Sequence, residues 1–409
     1  MTAAPSRYAS LSRDELATLV PELLLIGQMI DRSGMAWCIS NFGREEMLQV
    51  AIEEWMGASP IYTRRMQKAL KYEGVDIFTI FKGLQLDIGA PPQFMDFRYA
   101  VHDRWNGEFH LDHCGALLDV EPMGEDYVRG MCHDIEDPTF DATAVATNRR
   151  ARIRPIHRPP RMPSDRNPHC AWTVKIDDSY PEVEDHPHLA EVGETRAATW
   201  ELTPIDPSGD GQADYSGDLQ ADFDFAAFSH SALVRMADEV CLQMHLLNLS
   251  FIVSVRKRAD DDLTREICTK QLIGLAGIAA ERIHRALGLP KSIEGVQRVL
   301  ELHPLLNPAG YVDAEVENGR VQVRRSAAHD DGAWISLCTP GSTKPLQAIA
   351  TAVDPHIAVH VTGTDTDWTL ELHHSDTASK ESSEVEVVKF SGGASWEFES
   401  RKSLPLTVV

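Results

Sequence analysis

The chain has 409 residues, 43% of them hydrophobic and 25% charged, a composition typical of a globular protein with about two or three domains. Its 39 lysine and arginine residues against 62 aspartate and glutamate residues give a net charge of −23, which repels phosphate backbones and anionic lipids. Neither nucleic acid nor membrane is therefore an expected partner. Charged residues near the amino terminus and the lack of a long apolar run predict a cytoplasmic protein without a signal peptide or membrane span.

The first part of the chain carries a helical pattern. Ser12 and Glu15 fit a capping box in front of an apolar stripe over 16–30, so the first element is predicted to be a helix. A 3.6-residue periodicity continues over 41–57, 61–72 and 76–88, with Pro60 and Gly74 between these segments. These segments predict a helical layer of about ninety residues.

From position 97 the pattern alternates as in a β-strand. Asn106-Gly107 suits a two-residue hairpin turn, which predicts paired strands at 97–105 and 108–115. In that register Asp103 faces His110, and His110 and Cys114 share one side of the sheet. Further strands are predicted at 144–156 and 169–176.

The two halves of the sequence are similar, and an acidic, aperiodic stretch separates them. We predict one lobe at 1–180, a linker at 181–217 and a second lobe at 218–409. Residues 64–94 align with 281–311 without a gap, and Asn318-Gly319 then follows where Asn106-Gly107 stands in the first half. The predicted fold class is therefore α+β: two duplicated lobes, each a helical layer followed by an antiparallel sheet with an Asn-Gly hairpin.

The duplication also serves as an internal control. Laying hairpin on hairpin places Gln322 at His110 and Ser326 at Cys114, and Thr366 stands at the position of Cys170. Because the second lobe lacks these reactive groups, we interpret them as functional rather than as required by the fold. At the carboxyl end, strands are predicted at 385–390 and 396–400.

Cysteine, histidine and acidic residues concentrate between positions 102 and 170. Seven cysteines are an odd and sparse number, which predicts reduced thiols rather than a disulfide framework. The candidate metal ligands are His110, Cys114, Cys132, His133 and Cys170, and the candidate catalytic groups are Cys114, Cys132, Asp134 and Glu136. Three interpretations remain open: a zinc or iron site with an open position for water, a thiolate activated by histidine, and small buried side chains that only pack.

Seven arginines lie between positions 149 and 166 of this acidic protein. Arg154 and Arg158 could hold a substrate carboxylate, with Trp105 as a wall of the pocket. Alternatively, the arginines pair with the acidic run at 177–185.

The segments FHLDHCGA at 109–116, GMC at 130–132 and NPHCAWTV at 167–174 resemble the L-2-amino-thiazoline-4-carboxylic acid hydrolase family and the related 4-vinyl-reductase type of small-molecule-binding domain. The resemblance covers about 45–177. It implies helices followed by an antiparallel sheet, with Cys114, Cys132 and Cys170 at the matching positions and Asp134 as the nearby acid. It further implies the hydrolytic opening of a small heterocycle or the binding of a small ligand.

These observations favour a hydrolase or lyase that acts on a small polar, carboxylated or heterocyclic molecule through the Cys/His/Asp site, with zinc or iron assisting. One alternative is a small-ligand or metal-binding sensor without turnover. Another is a subunit of a larger enzyme assembly, and copies of the chain could form a homo-oligomer.

Overall fold

A computed structural model describes residues 4–390 and a two-residue strand at 407–408. The helices of the first half are α1 (Arg13–Phe42), α2 (Arg44–Ala69), α3 (Ile77–Leu84), α4 (Gly115–Val120), α5 (Glu125–Arg129), α6 (Glu136–Val145), α7 (Pro187–Gly193) and α8 (Arg196–Thr199). Its strands are β1 (Met95–Asp103), β2 (Asn106–Cys114), β3 (Ala151–His157) and β4 (Cys170–Ile176).

The second half repeats this order of elements. Its helices are α9 (His230–Arg256), α10 (Asp261–Ala286), α11 (Ile293–Leu302), α12 (Ala327–Asp331), α13 (Lys344–Val353) and α14 (Ser383–Phe390). Its strands are β5 (Ala314–Glu317), β6 (Arg320–Val323), β7 (Ile357–Gly363) and β8 (Trp368–His374), and β9 (Thr407–Val408) follows.

Four long helices form the centre of the molecule, with α1 packed against α9 and α10, and α2 packed against α9. In α1 the four consecutive residues 23–26 are fully buried, which requires neighbours on every side of the helix. The predicted capping box is confirmed, because the Ser12 backbone N–H and the Glu15 backbone N–H each bond to the other residue's side chain. Among residues 4–390, no helix is both long enough and apolar enough to cross a lipid bilayer.

The prediction that Pro60 separates two helices is wrong, because α2 continues through it. Proline inside a helix removes one hydrogen bond and costs about 3 kcal/mol. Tyr62 and Met66 beyond it are buried with the rest of the helix. We attribute the continuous helix to this burial, which outweighs the local cost.

Each half contains an antiparallel sheet, in the strand orders β3-β4-β2-β1 and β5-β6-β8-β7, and β9 pairs in parallel with β1. The inner face of the first sheet presents buried Phe109 and Trp172 to Phe140 of α6, whose ring centroid lies 5.0 Å from that of Trp172. The predicted α+β architecture with two lobes is confirmed.

The predicted turn of the first hairpin is wrong, since Asp103 pairs with Asn106 and Arg104-Trp105 form the turn. The Asp103 carboxylate accepts bonds from the Trp105 N–H at 2.7 Å and the Asn106 amide at 2.9 Å, which stabilises the turn at this earlier position. Gly107 instead lies in β2, where an added Cβ would approach Ile77 Cγ2 to 2.8 Å. A glycine is needed at position 107 because α3 packs closely against the strand there, and not because the turn requires one.

The second Asn-Gly prediction is confirmed. Asn318 and Gly319 connect β5 and β6 with φ of +51° and +72°, the left-handed conformation that this dipeptide tolerates. The hairpin alignment therefore shifts by two positions. Phe109 and Val323, which pair with Trp172 and Trp368, become equivalent, and Gln322 is no longer the counterpart of His110.

One constant offset in residue number relates the helical layers of the two halves. It carries the N-cap Ser12 to the N-cap Ser229, and the end of α2 at Ala69 to the end of α10 at Ala286. It also carries Lys71 to Gly288, which have φ of +54° and +58°. The shared offset and the shared strand order both indicate a duplication.

Two predictions outside the sheets differ from the structure. The predicted linker at 181–217 contains α7 and α8, which are too short to give a recognisable periodicity and which pack against α2 and α9. The strand predicted at 385–390 is wrong, because this segment is α14, whose Val385 and Val388 lie one helical turn apart on α10. The strand predicted at 396–400 lies outside the described residues.

Candidate functional site

The candidate site begins at a widened helical turn in the first lobe. Residues Gly130–Ile135 form a π-helical turn that leads directly into α6, and such turns are frequent at functional sites. The turn buries Cys132 and places Glu136 at the start of α6, with only 8% of that residue exposed. Asp134 lies on the exposed side of the same turn, so it does not accompany Cys132 as the resemblance implies.

Glu136 lines a cavity of about 90 Å³ between the helical layer and the sheet of the first lobe. This volume is several times the space that one water molecule requires. Its polar and aromatic lining consists of Gln28, Asp31, Trp55, Asp87, Phe97, Glu136, Thr139, Phe140 and Thr143. No lysine, arginine or histidine from the described part of the chain is among the residues that line it.

Three buried carboxyl groups therefore face one small space. Burial raises the pKa of Glu136 to about 8, although the positive charge of Arg158 lowers it. Burial also raises the pKa of Asp31 to about 6, although Arg32 and a hydrogen bond from Trp55 lower it. Glu136 Oε2 and Asp31 Oδ1 have no hydrogen-bond partner within the described residues, so both atoms could bond to a ligand.

The third carboxyl group, Asp87, is held firmly in place. Its Oδ1 accepts bonds from the Tyr62 hydroxyl at 2.9 Å and the Gly89 backbone N–H at 2.7 Å. Burial nevertheless raises the pKa of Asp87 to about 6. Carboxyl groups with pKa values near neutrality are suited to proton transfer at physiological pH.

The three cysteines of the family resemblance lie near one another and near Glu136. The pKa of Cys132 is raised first by burial and then by the negative charges of Glu136, Cys114 and Cys170. Burial likewise raises the pKa of Cys114 to about 12 and that of Cys170 well above its ordinary value. Burial therefore favours the protonated thiols at neutral pH and works against the activated thiolate that we considered.

The predicted histidine ligands do not join these cysteines. His110 lies on the opposite side of the sheet from Cys114 and 3.4 Å from Asp112, because an irregularity in the pairing of β2 with β1 interrupts the alternation of faces between Leu111 and Cys114. His133 bonds through Nε2 to the Pro159 carbonyl at 2.7 Å. Within residues 4–390, no group of three or more histidine, cysteine, aspartate or glutamate side chains could hold a metal ion. The predicted ligand set therefore does not fit a zinc or iron ion in this arrangement.

The two predicted substrate-binding arginines are engaged in ion pairs within the protein. Arg154 forms a bidentate pair with Asp141, both bonds 2.9 Å long, and Arg158 bonds to Asp137 at 2.5 Å. Arg158 also lowers the pKa of Glu136, so its guanidinium acts on the site as a nearby charge.

The alternative pairing with the acidic run holds for only some of the arginines. Arg149 and Arg150 both pair with Glu182, and Arg149 also pairs with Asp185. Trp105 lies at the turn of the first hairpin beneath the Arg104 guanidinium and does not line the cavity.

The second lobe has a larger cavity, of about 290 Å³, beside the equivalent helix. Helices α6 and α13 each have ten residues and precede the third strand of their sheet, so Glu136 corresponds to Lys344. The offset of the helical layer places Asn248 at the position of Asp31 and Pro304 at that of Asp87. The second lobe thus retains the fold and lacks all three carboxyl groups.

Sequence reasoning identified Glu136 and missed Asp31 and Asp87. Each is a single acidic residue outside the segment rich in reactive residues, so it gives little signal. Extending the alignment of 64–94 with 281–311 toward the amino terminus would have set Asp31 opposite Asn248.

No protein-family model matches this chain, and neither a curated protein nor a solved structure is significantly similar to it.

Proposed function

We propose that this protein is a hydrolase or lyase that acts on a small polar molecule in the cavity of the first lobe by carboxyl acid–base chemistry. The observation that carries the proposal is the cavity with three carboxyl groups whose pKa values lie near neutrality. At pH 7 Glu136 is mostly protonated and can donate a proton, whereas Asp31 and Asp87 are mostly ionised and can accept one.

The lining of the cavity also favours one chemical class of substrate. It combines carboxyl groups with the rings of Trp55, Phe97 and Phe140 and has no basic side chain. Carboxylates and aromatic faces both attract a protonated nitrogen. We therefore propose an amine or a nitrogen heterocycle as the substrate, in place of the carboxylated molecule that free arginines would have favoured.

The experiment is a turnover screen with small amines and nitrogen heterocycles, followed by mass spectrometry. We expect the wild-type protein to convert at least one compound, and the Glu136→Gln variant to lose about 10²–10⁴-fold in rate as the general acid is removed. The Lys344→Gln variant is the matched control in the second lobe and should retain full activity. Binding without turnover would indicate the sensor instead.

Two predictions from the sequence, the family resemblance and the zinc or iron ion, can each be tested by experiment. The hydrolase-family resemblance supports a small heterocyclic substrate and is tested by the same screen. Zinc or iron is tested by elemental analysis of the wild-type protein and of the Cys114→Ala/Cys132→Ala variant. Stoichiometric metal that the variant lacks would support a metal-assisted reaction, and equal metal content in both would contradict these cysteines as ligands.

We further propose that the protein acts in the cytoplasm on small molecules, without nucleic-acid or membrane partners. The net charge of −23 supports this proposal. Association into a homo-oligomer stays a prediction that size-exclusion chromatography with light scattering would test.

A further inference from the structure

A fourth buried carboxyl group lies behind the cavity. Glu54 of α2 is fully buried, and neither of its carboxyl oxygens has a hydrogen-bond partner within the described residues. It lies near Asp31, whose negative charge raises the pKa of Glu54 further than burial alone does. Because a buried carboxyl group without hydrogen-bond partners is costly, and more so beside a second carboxyl group, this arrangement requires an explanation.

The duplication shows how the two side chains are arranged. The offset that relates the helical layers carries Asp31 to Asn248 and Glu54 to Gln271. Asn248 Nδ2 donates a hydrogen bond to Gln271 Oε1 at 2.8 Å, and both residues are fully buried. Asparagine and glutamine have almost the same shapes as aspartate and glutamate. The backbone positions that the two lobes share therefore allow side chains of this length to reach hydrogen-bond contact, as they do in the second lobe.

Two ionised carboxylates cannot make that contact, because like charges repel and burial penalises both. One proton between them restores an O–H···O bond in place of the N–H···O bond of the second lobe. The titratable and charged groups that interact with the pair are Arg32, Cys38, Tyr62 and Cys268. Arg32 is engaged by Asp119 and stacks on Phe94, so it only partly offsets the charge of Asp31.

We propose that the Asp31–Glu54 pair holds one proton at neutral pH, with the Glu54 carboxyl donating it to Asp31. Glu54 is then a positioning residue that fixes the orientation of Asp31 at the cavity. When Asp31 accepts a proton from a ligand, the charge of the pair changes from −1 to zero and no further group has to move. This role at the cavity rests on the proposed function, whereas the sharing of the proton does not.

Infrared difference spectroscopy tests the shared proton directly. At pH 7.5 the spectrum of the wild-type protein minus that of Glu54→Gln should show one protonated carboxyl C=O band that belongs to Glu54. The Asn248→Asp/Gln271→Glu variant installs the pair in the second lobe and should gain a band of the same kind. Absence of the band in the first comparison would overturn the proposal, even if no substrate is ever found.

The pH profile of binding or turnover tests the positioning role. Glutamine at position 54 still donates a hydrogen bond and carries no charge, so Glu54→Gln should keep the acid limb of the profile where it is. If Glu54 were ionised, the same substitution would remove a negative charge and shift that limb by about one unit or more to lower pH, which would contradict the proposal. Glu54→Met removes the donor at similar size and should lower activity, while Glu54→Gln retains it.

Discussion

The Glu136 carboxyl group should make the protein less stable as the pH rises, and Glu136→Gln should remove this effect. The group has a pKa of about 8 in the folded chain, against an ordinary value of 4.5. Between these two values the folded state keeps a proton that the unfolded state releases. Stability is therefore lost progressively as the pH rises from about 4.5 through 8.

The magnitude follows from the size of the shift. Each pKa unit corresponds to 1.36 kcal/mol, so the group costs about 3 kcal/mol at pH 7 and about 5 kcal/mol above pH 8. Burial of the residue is nearly complete, at 8% exposure, so solvent screening reduces this value little. Glu136→Gln has nearly the same shape and no charge, and it should be the more stable protein by about that amount.

Urea denaturation of both proteins between pH 5 and 9 measures the difference. We expect the two curves of unfolding free energy against pH to converge toward pH 5 and to separate toward pH 9. Asp134→Asn, in the same helical turn but exposed, is the matched control and should follow the wild-type curve. Parallel curves for the wild-type protein and Glu136→Gln would refute the raised pKa and, with it, the assignment of Glu136 as an acid at pH 7.

Three further outcomes follow from the same structure. All seven cysteines are buried, and burial raises the pKa of Cys114 to about 12, so thiol reagents at pH 8 should label the folded protein slowly. Rapid labelling of Cys114 would contradict its burial. Arg158→Met should raise the pKa of Glu136 further and move the basic limb of the activity profile to higher pH, whereas Arg154→Met, which breaks a separate ion pair with Asp141, should leave the profile in place. Trp172→Ala should lower the unfolding free energy by about 3–5 kcal/mol in urea titrations, and a loss below about 1 kcal/mol would contradict its place in the core.

Local signals in the sequence predicted much of the fold. The capping box at Ser12 involves residues three positions apart, so the chain specifies it without help from tertiary structure. The Asn-Gly dipeptide was informative at position 318 and misleading at 106. At the first hairpin, the Asp103 side chain stabilises a turn two residues earlier, and Gly107 is needed for packing against α3. The Asn-Gly dipeptide thus forms the turn of the second hairpin, whereas in the first hairpin it belongs to the strand after the turn.

The candidate site was harder to predict because its groups come from distant parts of the chain. Glu136 belonged to a segment rich in reactive residues and was found. Asp31 and Glu54 lie on the long helices α1 and α2, far from that segment, and they become informative only beside Asn248 and Gln271. The predicted union of His110 with Cys114 failed because β2 has one extra residue between its pairings of Leu111 with Phe97 and of Cys114 with Met95, which turns Cys114 to the other face of the sheet.

The most direct test of the central claim is the binding of small basic nitrogen compounds by isothermal titration calorimetry. The wild-type protein, Glu136→Gln and Lys344→Gln would be compared at pH 7 in two buffers with different ionisation enthalpies. We predict that in both buffers the best ligand loses about tenfold or more in affinity with Glu136→Gln and is unaffected by Lys344→Gln. Binding that depends on Lys344 and not on Glu136 would contradict the account, because the working cavity would then lie in the second lobe.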